Sequence, residues 1–250
     1  MNYKEEELLK IQLVGTGSIG ATSKSASALI DDKILVDCGN GIVKTLKEQN
    51  VNVMNIETIL ITHLHGDHFI DIPFLIFDRT YQEVKNKVKI FCPVGTELRV
   101  KEIMKYAFED DIFEERRDLA KVEFKEFEEL SNEKINESYT VSSKPVKHGK
   151  LKVAFGFILK NKEKAIGFSG DSCYCNEIDD IVANSDISVL DMSQIEGNDA
   201  HMGIDDIEKI IKKHNKKIIA THIQTKTRSI CKNKNIPNLI IPEDGQIIKI

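Results

Sequence analysis

The sequence predicts an α/β protein built of two β-sheets with helices on the outside. Two observations point there. Short β-branched runs alternate with helical patterns from the first strand onward, and the second half repeats the plan of the first. No Pro/Gly-rich linker or short-period repeat divides the chain. At 250 residues, with 41% apolar and 30% charged content, it can bury a substantial core as one domain spanning residues 1–250.

The elements follow in order. LKIQLV reads as a strand, SALI and KILVD as two strands around a turn at Asp31-Asp32, GIVKTLKEQN as a helix and ETILIT as a strand. FIDIPFLIFDRTY has a helical pattern, VKIFCP a strand pattern, TELRVKEIMKYAF an amphipathic helical one, and EDDIFEERRDLA continues as a helical segment near the site. In the second half KVEFKEF, SYTVSSKPV, LKVAFGFILK and KAIGFSG are strands. NEIDDIVAN (helix), DISVLD (strand), IDDIEKIIKKH (helix) and KKIIATH (strand) complete the alternation. EELSNEKINES is the most polar interruption and reads as a connection within the domain.

Composition excludes several classes. No segment approaches the roughly 20 apolar residues needed to span a bilayer, and MNYKEEELLK carries acidic residues where a signal peptide needs an apolar core. A cytoplasmic protein with no membrane partner is expected. Cys38, Cys92, Cys173, Cys175 and Cys231 form an odd set without CxxC spacing, so neither a disulfide framework nor a cysteine zinc finger is indicated. A net charge of −5 disfavours coating nucleic acid through a general basic surface.

The chemistry concentrates in THLHGDH. Imidazole and carboxylate ligands without thiolate suit zinc, manganese, iron or nickel and leave a coordination position open for water. His63 and His65 lie two apart just past a strand, where extended backbone can aim both at one ion. Asp67 and His68, adjacent at a helix start, suit a second ion. The plainer alternative is a helix N-terminus that happens to be rich in His and Asp. Further ligands are needed to close two sites, and His148, Asp171 and His222 each follow a predicted strand.

These residues, with VDCG containing Asp37, resemble the metallo-β-lactamase fold superfamily over nearly the whole chain. The resemblance implies an αββα four-layer sandwich and two divalent ions, Zn2+ or Mn2+. It also implies that His63, His65 and His148 hold the first ion, that Asp67, His68 and His222 hold the second, that Asp171 bridges them, and that Asp37 supports the site from below. Two ions about 3.5–4 Å apart can hold a bridging hydroxide for in-line attack on a phosphodiester, which Asp67 and Asp171 would orient. His201, before a helix leading to the strand that ends at His222, resembles the non-ligand histidine with which ribonuclease Z and related phosphodiesterases protonate the leaving oxygen.

The chain departs from ribonuclease Z in several places. It has no long Gly/Pro-rich insertion, GTGSIGATSKSAS lacks the usual Pro and Arg, and Phe168 stands where an acidic partner of the catalytic histidine is expected. Lys226 and Arg228 replace an Arg-Tyr pair and are candidates for binding substrate phosphate, a solvated loop being the plainer alternative. The chain is more similar to cyclic-nucleotide phosphodiesterases of this fold, including the homodimeric anti-Pycsar proteins that destroy cyclic mononucleotide signals. A homodimer opening a cyclic nucleotide is therefore expected. RNA processing, lactone or thioester hydrolysis, and a non-catalytic metal-binding role are the alternatives. Three signals are set aside: GTGSIG does not open a helix as a dinucleotide site requires, GFSGD is one residue short of a nucleophile elbow around Ser169, and His214 lies on a lysine-rich, solvated face.

Overall fold

The computed structural model describes residues 8–108, 111–232 and 234–250. The acidic start read as incompatible with a signal peptide, and Glu109 and Asp110 of the predicted helical continuation, lie outside the described residues. Among the described residues, fourteen strands form two seven-stranded sheets. The first half supplies β1 (Lys10–Gly15), β2 (Ser27–Ile30), β3 (Ile34–Val36), β4 (Thr58–Leu60), β5 (Val88–Pro93) and β6 (Val122–Phe127). The second supplies β7 (Glu133–Lys134), β8 (Thr140–Pro145), β9 (Phe155–Lys160), β10 (Ala165–Phe168), β11 (Ile187–Asp191), β12 (Lys217–Thr221) and β13 (Leu239–Ile240). Strand β14 (Ile247–Lys249) returns to the first sheet beside β1.

Each sheet is half antiparallel and half parallel. In the first, ordered β14-β1-β2-β3-β4-β5-β6, strands β3 to β6 run parallel. In the second, ordered β13-β12-β11-β10-β9-β8-β7, strands β10 to β13 run parallel. Period-2 alternation sorts side chains between layers. Ile34 and Val36 of β3, Leu60 of β4, Ile166 and Phe168 of β10 and Ile219 of β12 enter the core between the sheets. Their neighbours Leu35 and Ile59 face the helices of the first half, and Ile218 and Ala220 those of the second.

Helices α1 (Ile42–Glu48), α2 (Gly66–Phe69), α3 (Ile72–Tyr81), α4 (Thr96–Phe108) and α5 (Phe113–Leu119) cover the first sheet. Helices α6 (Asn176–Ala183), α7 (Ile204–His214) and α8 (Thr225–Cys231) belong to the second half. In α7, Ile204, Ile207 and Ile210 are buried at helical spacing, Asp206 closes a capping box on the Gly203 N–H, and Asn215 stops the helix in the left-handed region. The run predicted as one helix from Phe69 is broken. The short α2 ends at Phe69, and Pro73 in the first turn of α3 fixes a new start. Among the described residues no helix is long and apolar enough to cross a membrane.

A groove of about 1070 Å³, lined by Lys10, Asp32, Lys33, Lys89 and Tyr139, opens at the end of the sheets where β4 and β5 begin. The histidine cluster lies past the other end of β4.

Phe157 is fully buried between the sheets against Phe127. Phe157→Ala should cost about 3–5 kcal/mol in urea unfolding, whereas Tyr106→Ala, at a side chain 80% exposed, should stay within about 0.5 kcal/mol.

Candidate active site

The site is assembled at strand ends. Past β4 the chain runs on to His65, whose extended backbone caps α2, so His63 and His65 lie on one stretch while Asp67 and His68 fall in the first turn of the helix. The VDCG turn presses against this turn. A Cβ on Gly39 would sit 1.7 Å from the Asp67 carbonyl oxygen, so only glycine permits the approach. From the second half, Asp171 follows β10, Asp191 ends β11 and His222 follows β12, while His148 lies in the connection from β8 to β9.

Two of the three groups that these side chains form hold the predicted ligands, and the third, Asp171, Asp191, His201 and His222, overlaps both. Ligand atoms of His63, His65, His148 and Asp171 all lie within 4.8 Å of one another, and so do those of Asp67, His68 and His222. In the first group His148 Nε2 is 3.1 Å from His65 Nδ1, and both His63 Nε2 and His148 Nε2 are 3.8 Å from Asp171 Oδ2. In the second, His222 Nε2 lies 3.3 Å from Asp67 Oδ2, and His68 Nε2 lies 3.7 Å from it. Asp171 Oδ2 also approaches His68 Nε2 at 3.4 Å and His222 Nε2 at 3.3 Å, so one oxygen stands between the groups.

A divalent ion fits these residues. Metal–nitrogen bonds of about 2.0–2.1 Å imply ligand–ligand edges of about 3.3 Å in a tetrahedral site, close to the separations found. His63 Nε2 and His68 Nε2 are buried, directed at the cluster, and without a hydrogen-bond partner among the described residues. Uncompensated buried polar atoms are costly, and an ion would satisfy both. The donor set is imidazole and carboxylate, without thiolate.

A layer of hydrogen bonds sets the tautomers. The Asp37 carboxylate accepts the Thr62 N–H at 2.8 Å, the Thr62 hydroxyl at 2.8 Å and His68 Nδ1–H at 2.8 Å. With its proton given to Asp37, the Thr62 hydroxyl accepts from His63 Nδ1–H at 3.0 Å. His148 Nδ1–H donates to the Ala200 carbonyl at 2.8 Å. In His63, His68 and His148 the Nε2 atom is thereby left for the cluster.

Asp191 was not recognised in the sequence. It is fully buried, and its Oδ2 accepts His201 Nδ1–H at 2.8 Å and the Ser172 N–H at 3.2 Å, while Oδ1 accepts the Ser193 N–H. The expectation that Phe168 occupies the place of an acidic partner is therefore corrected. His201 has a carboxylate partner from the next strand, and Phe168 is a core residue between the sheets. The signal was present: DISVLD ends in Asp, as its neighbours end in SGD and ATH.

Charge follows this wiring. Burial holds the His63 pKa well below its usual range, as does the neighbouring His68, which favours the neutral ligand form. Burial would lower His68 as well, but Asp171 and Asp37 raise it well above. Burial opposes ionisation of Asp171, yet the His222 and His68 charges keep its pKa well below the carboxylate range. Burial alone would lower His201, and the Asp191 hydrogen bond and charge outweigh it, so its pKa is raised.

Other candidates fall outside the cluster. Arg228 is buried, with Nη1 donating to the Pro242 carbonyl and Nη2 to Thr16 Oγ1, both at 2.7 Å. It braces α8 against two loops, which corrects its expected role in binding phosphate. Lys226 is exposed on α8. Ser169 is fully buried and donates its hydroxyl to the Gly170 carbonyl. His214, expected to be solvated, is only 13% exposed and lies 2.8 Å from Asp179. GTGSIG forms a turn whose Thr16 carbonyl accepts the N–H of Ile223, the residue after His222.

Comparison with known proteins agrees with the layering. The chain is similar to the metallo-β-lactamase fold protein YhfI from Bacillus subtilis, with a TM-score of 0.76 and 16% identity over 97% of this chain and 100% of that one. It is similar to the short form of human tRNase Z, with a TM-score of 0.74 and 19% identity over 96% and 98%. In sequence it is 31% identical over 110 residues to ribonuclease Z of Metallosphaera sedula, which is 42% of this chain but only 36% of that protein. The expected αββα sandwich of the metallo-β-lactamase fold is thus met. The family model described as anti-Pycsar protein Apyc1 matches residues 9–244, nearly the whole length, and the chain belongs to that family.

Proposed function

We propose that the protein is a metal-dependent phosphodiesterase that works with two divalent ions, zinc or manganese, and opens a cyclic nucleotide to its linear monophosphate. One observation carries this reading: the His and Asp side chains form two groups that share Asp171 Oδ2, with the His201–Asp191 pair alongside. His63, His65 and His148 would hold one ion, and Asp67, His68 and His222 the other.

Bound there, the ions would supply an activated water and offset the charge that builds on the phosphoryl oxygens. Asp67 and Asp171 would orient the attacking oxygen. His201, with Nδ1–H held by Asp191, presents Nε2; when protonated it gives that proton to the leaving oxygen as the P–O bond breaks. Asp191 stabilises the imidazolium before transfer, which fits the raised pKa of His201.

Family membership, the net charge of −5 and the lack of a Gly/Pro-rich insertion favour a small substrate over RNA. Relatives named ribonuclease Z support the RNA reading in its place. The working form in this reading is a cytoplasmic homodimer of one-domain chains.

Removal of metal by a chelator should abolish phosphodiester cleavage, restored by Zn2+ or Mn2+, and should lower the thermal midpoint because the ion binds only the folded state. Full turnover by metal-free protein would overturn the mechanism. His201→Ala should lower kcat by about 10²–10⁴-fold with metal content intact; unchanged kcat would remove His201 from the reaction. Cyclic mononucleotides and a precursor tRNA assayed side by side should show turnover of the former, and cleavage of the tRNA alone would transfer the assignment to RNA processing.

A further inference from the structure

Between β11 and α7 the chain makes a turn at Asn198–His201 that one side chain holds closed. Asn198 Oδ1 accepts the N–H of Ala200 at 2.9 Å and of His201 at 2.8 Å, and the Asn198 N–H donates to the His201 carbonyl at 2.9 Å. Two parts of the site hang from this turn. The Ala200 carbonyl accepts His148 Nδ1–H at 2.8 Å, and the Asp199 carbonyl accepts the Gly149 N–H at 2.9 Å. At its other end His201 Nδ1–H reaches Asp191. The fit is close: a Cβ on Gly149 would lie 3.4 Å from the Ala200 Cβ, at a φ of +54°.

We propose that Asn198 is a positioning residue that aims His148 and His201 together, through the turn it caps. The proposal rests on the roles given to those two histidines above. Asn198 is itself exposed, and among the described residues its side chain bonds backbone amides and neither ring, so it acts through backbone. Its Oδ1 is the only acceptor given to the Ala200 and His201 amides among the described residues. Without it both amides turn to water, and the turn gains conformations in which the Ala200 carbonyl no longer faces His148. Catalytic groups need placement within about 0.5 Å, so a local loosening is sufficient to cost activity.

The test uses full-length protein and two variants. Asn198→Ala should lower kcat about tenfold with KM nearly unchanged, since misplaced catalytic groups cost up to about 10²-fold. It should also weaken Zn2+ affinity about tenfold, the lower bound for losing an outer partner of a metal-bound histidine. Affinity is read by competition with a chromophoric chelator, without substrate. Asn198→Asp keeps an acceptor oxygen and should restore both values. If Asn198→Ala matches wild type in kcat and Zn2+ affinity, or if Asn198→Asp is no better than Ala, the proposal fails. If no phosphodiester is cleaved by any form, the functional reading fails, while the Zn2+ competition still decides whether Asn198 positions His148.

Discussion

The geometry of the histidine cluster depends on the Asp37 carboxylate. It receives the Thr62 N–H, the Thr62 hydroxyl and His68 Nδ1–H, and through Thr62 it governs His63 as well. One buried anion thus sets the tautomer of a histidine in each of the two groups. Its own backbone has φ of +61°, a left-handed conformation that Asp tolerates better than most residues. The turn that supplies this conformation also carries Gly39, whose missing side chain lets Asp67 approach. Local strain in the VDCG turn, helix start and imidazole orientation are one packing problem.

Electrostatics makes the same point at larger scale. Asp37, Asp67, Asp171 and Asp191 are all buried within one cluster, and six of the chain's seven histidines surround them. Buried carboxylates are tolerated when paired or bound to metal. Histidines supply part of that compensation, but a neutral imidazole is what a metal ligand must be. Divalent ions bound there would resolve the conflict, with the ligand imidazoles neutral and the ligand carboxylates ionised.

Much of this was legible in sequence because it is local. HLHGDH is contiguous, and SGD and ATH mark strand ends by β-branched runs that stop at a polar residue. The α7 pattern of IDDIEKIIKKH gave its bounds without help from structure. What escaped reading was non-local or weakly patterned. Asp191 closes an apolar strand and looks like an ordinary terminus until the sheet order sets it between Asp171 and His222. The brace formed by Arg228 depends on Pro242 in a later loop and on Thr16, 212 residues away in the chain. Strands β7 and β13 have only two residues each, too short for any period to show.

The split of the site between the two halves also bears on how the chain is made. HLHGDH leaves the ribosome long before its partners. Roughly 150 residues separate His68 from His222, about 8–30 s of translation at about 5–20 residues per second. During that interval the nascent histidines are open to whichever metal is most avid, and copper and nickel bind such sites more tightly than manganese. On the proposed reading, closure of the second sheet with Asp171 and His222 would set the final ligand geometry, so correct metallation would be a late event in biogenesis and a vulnerable one under metal stress.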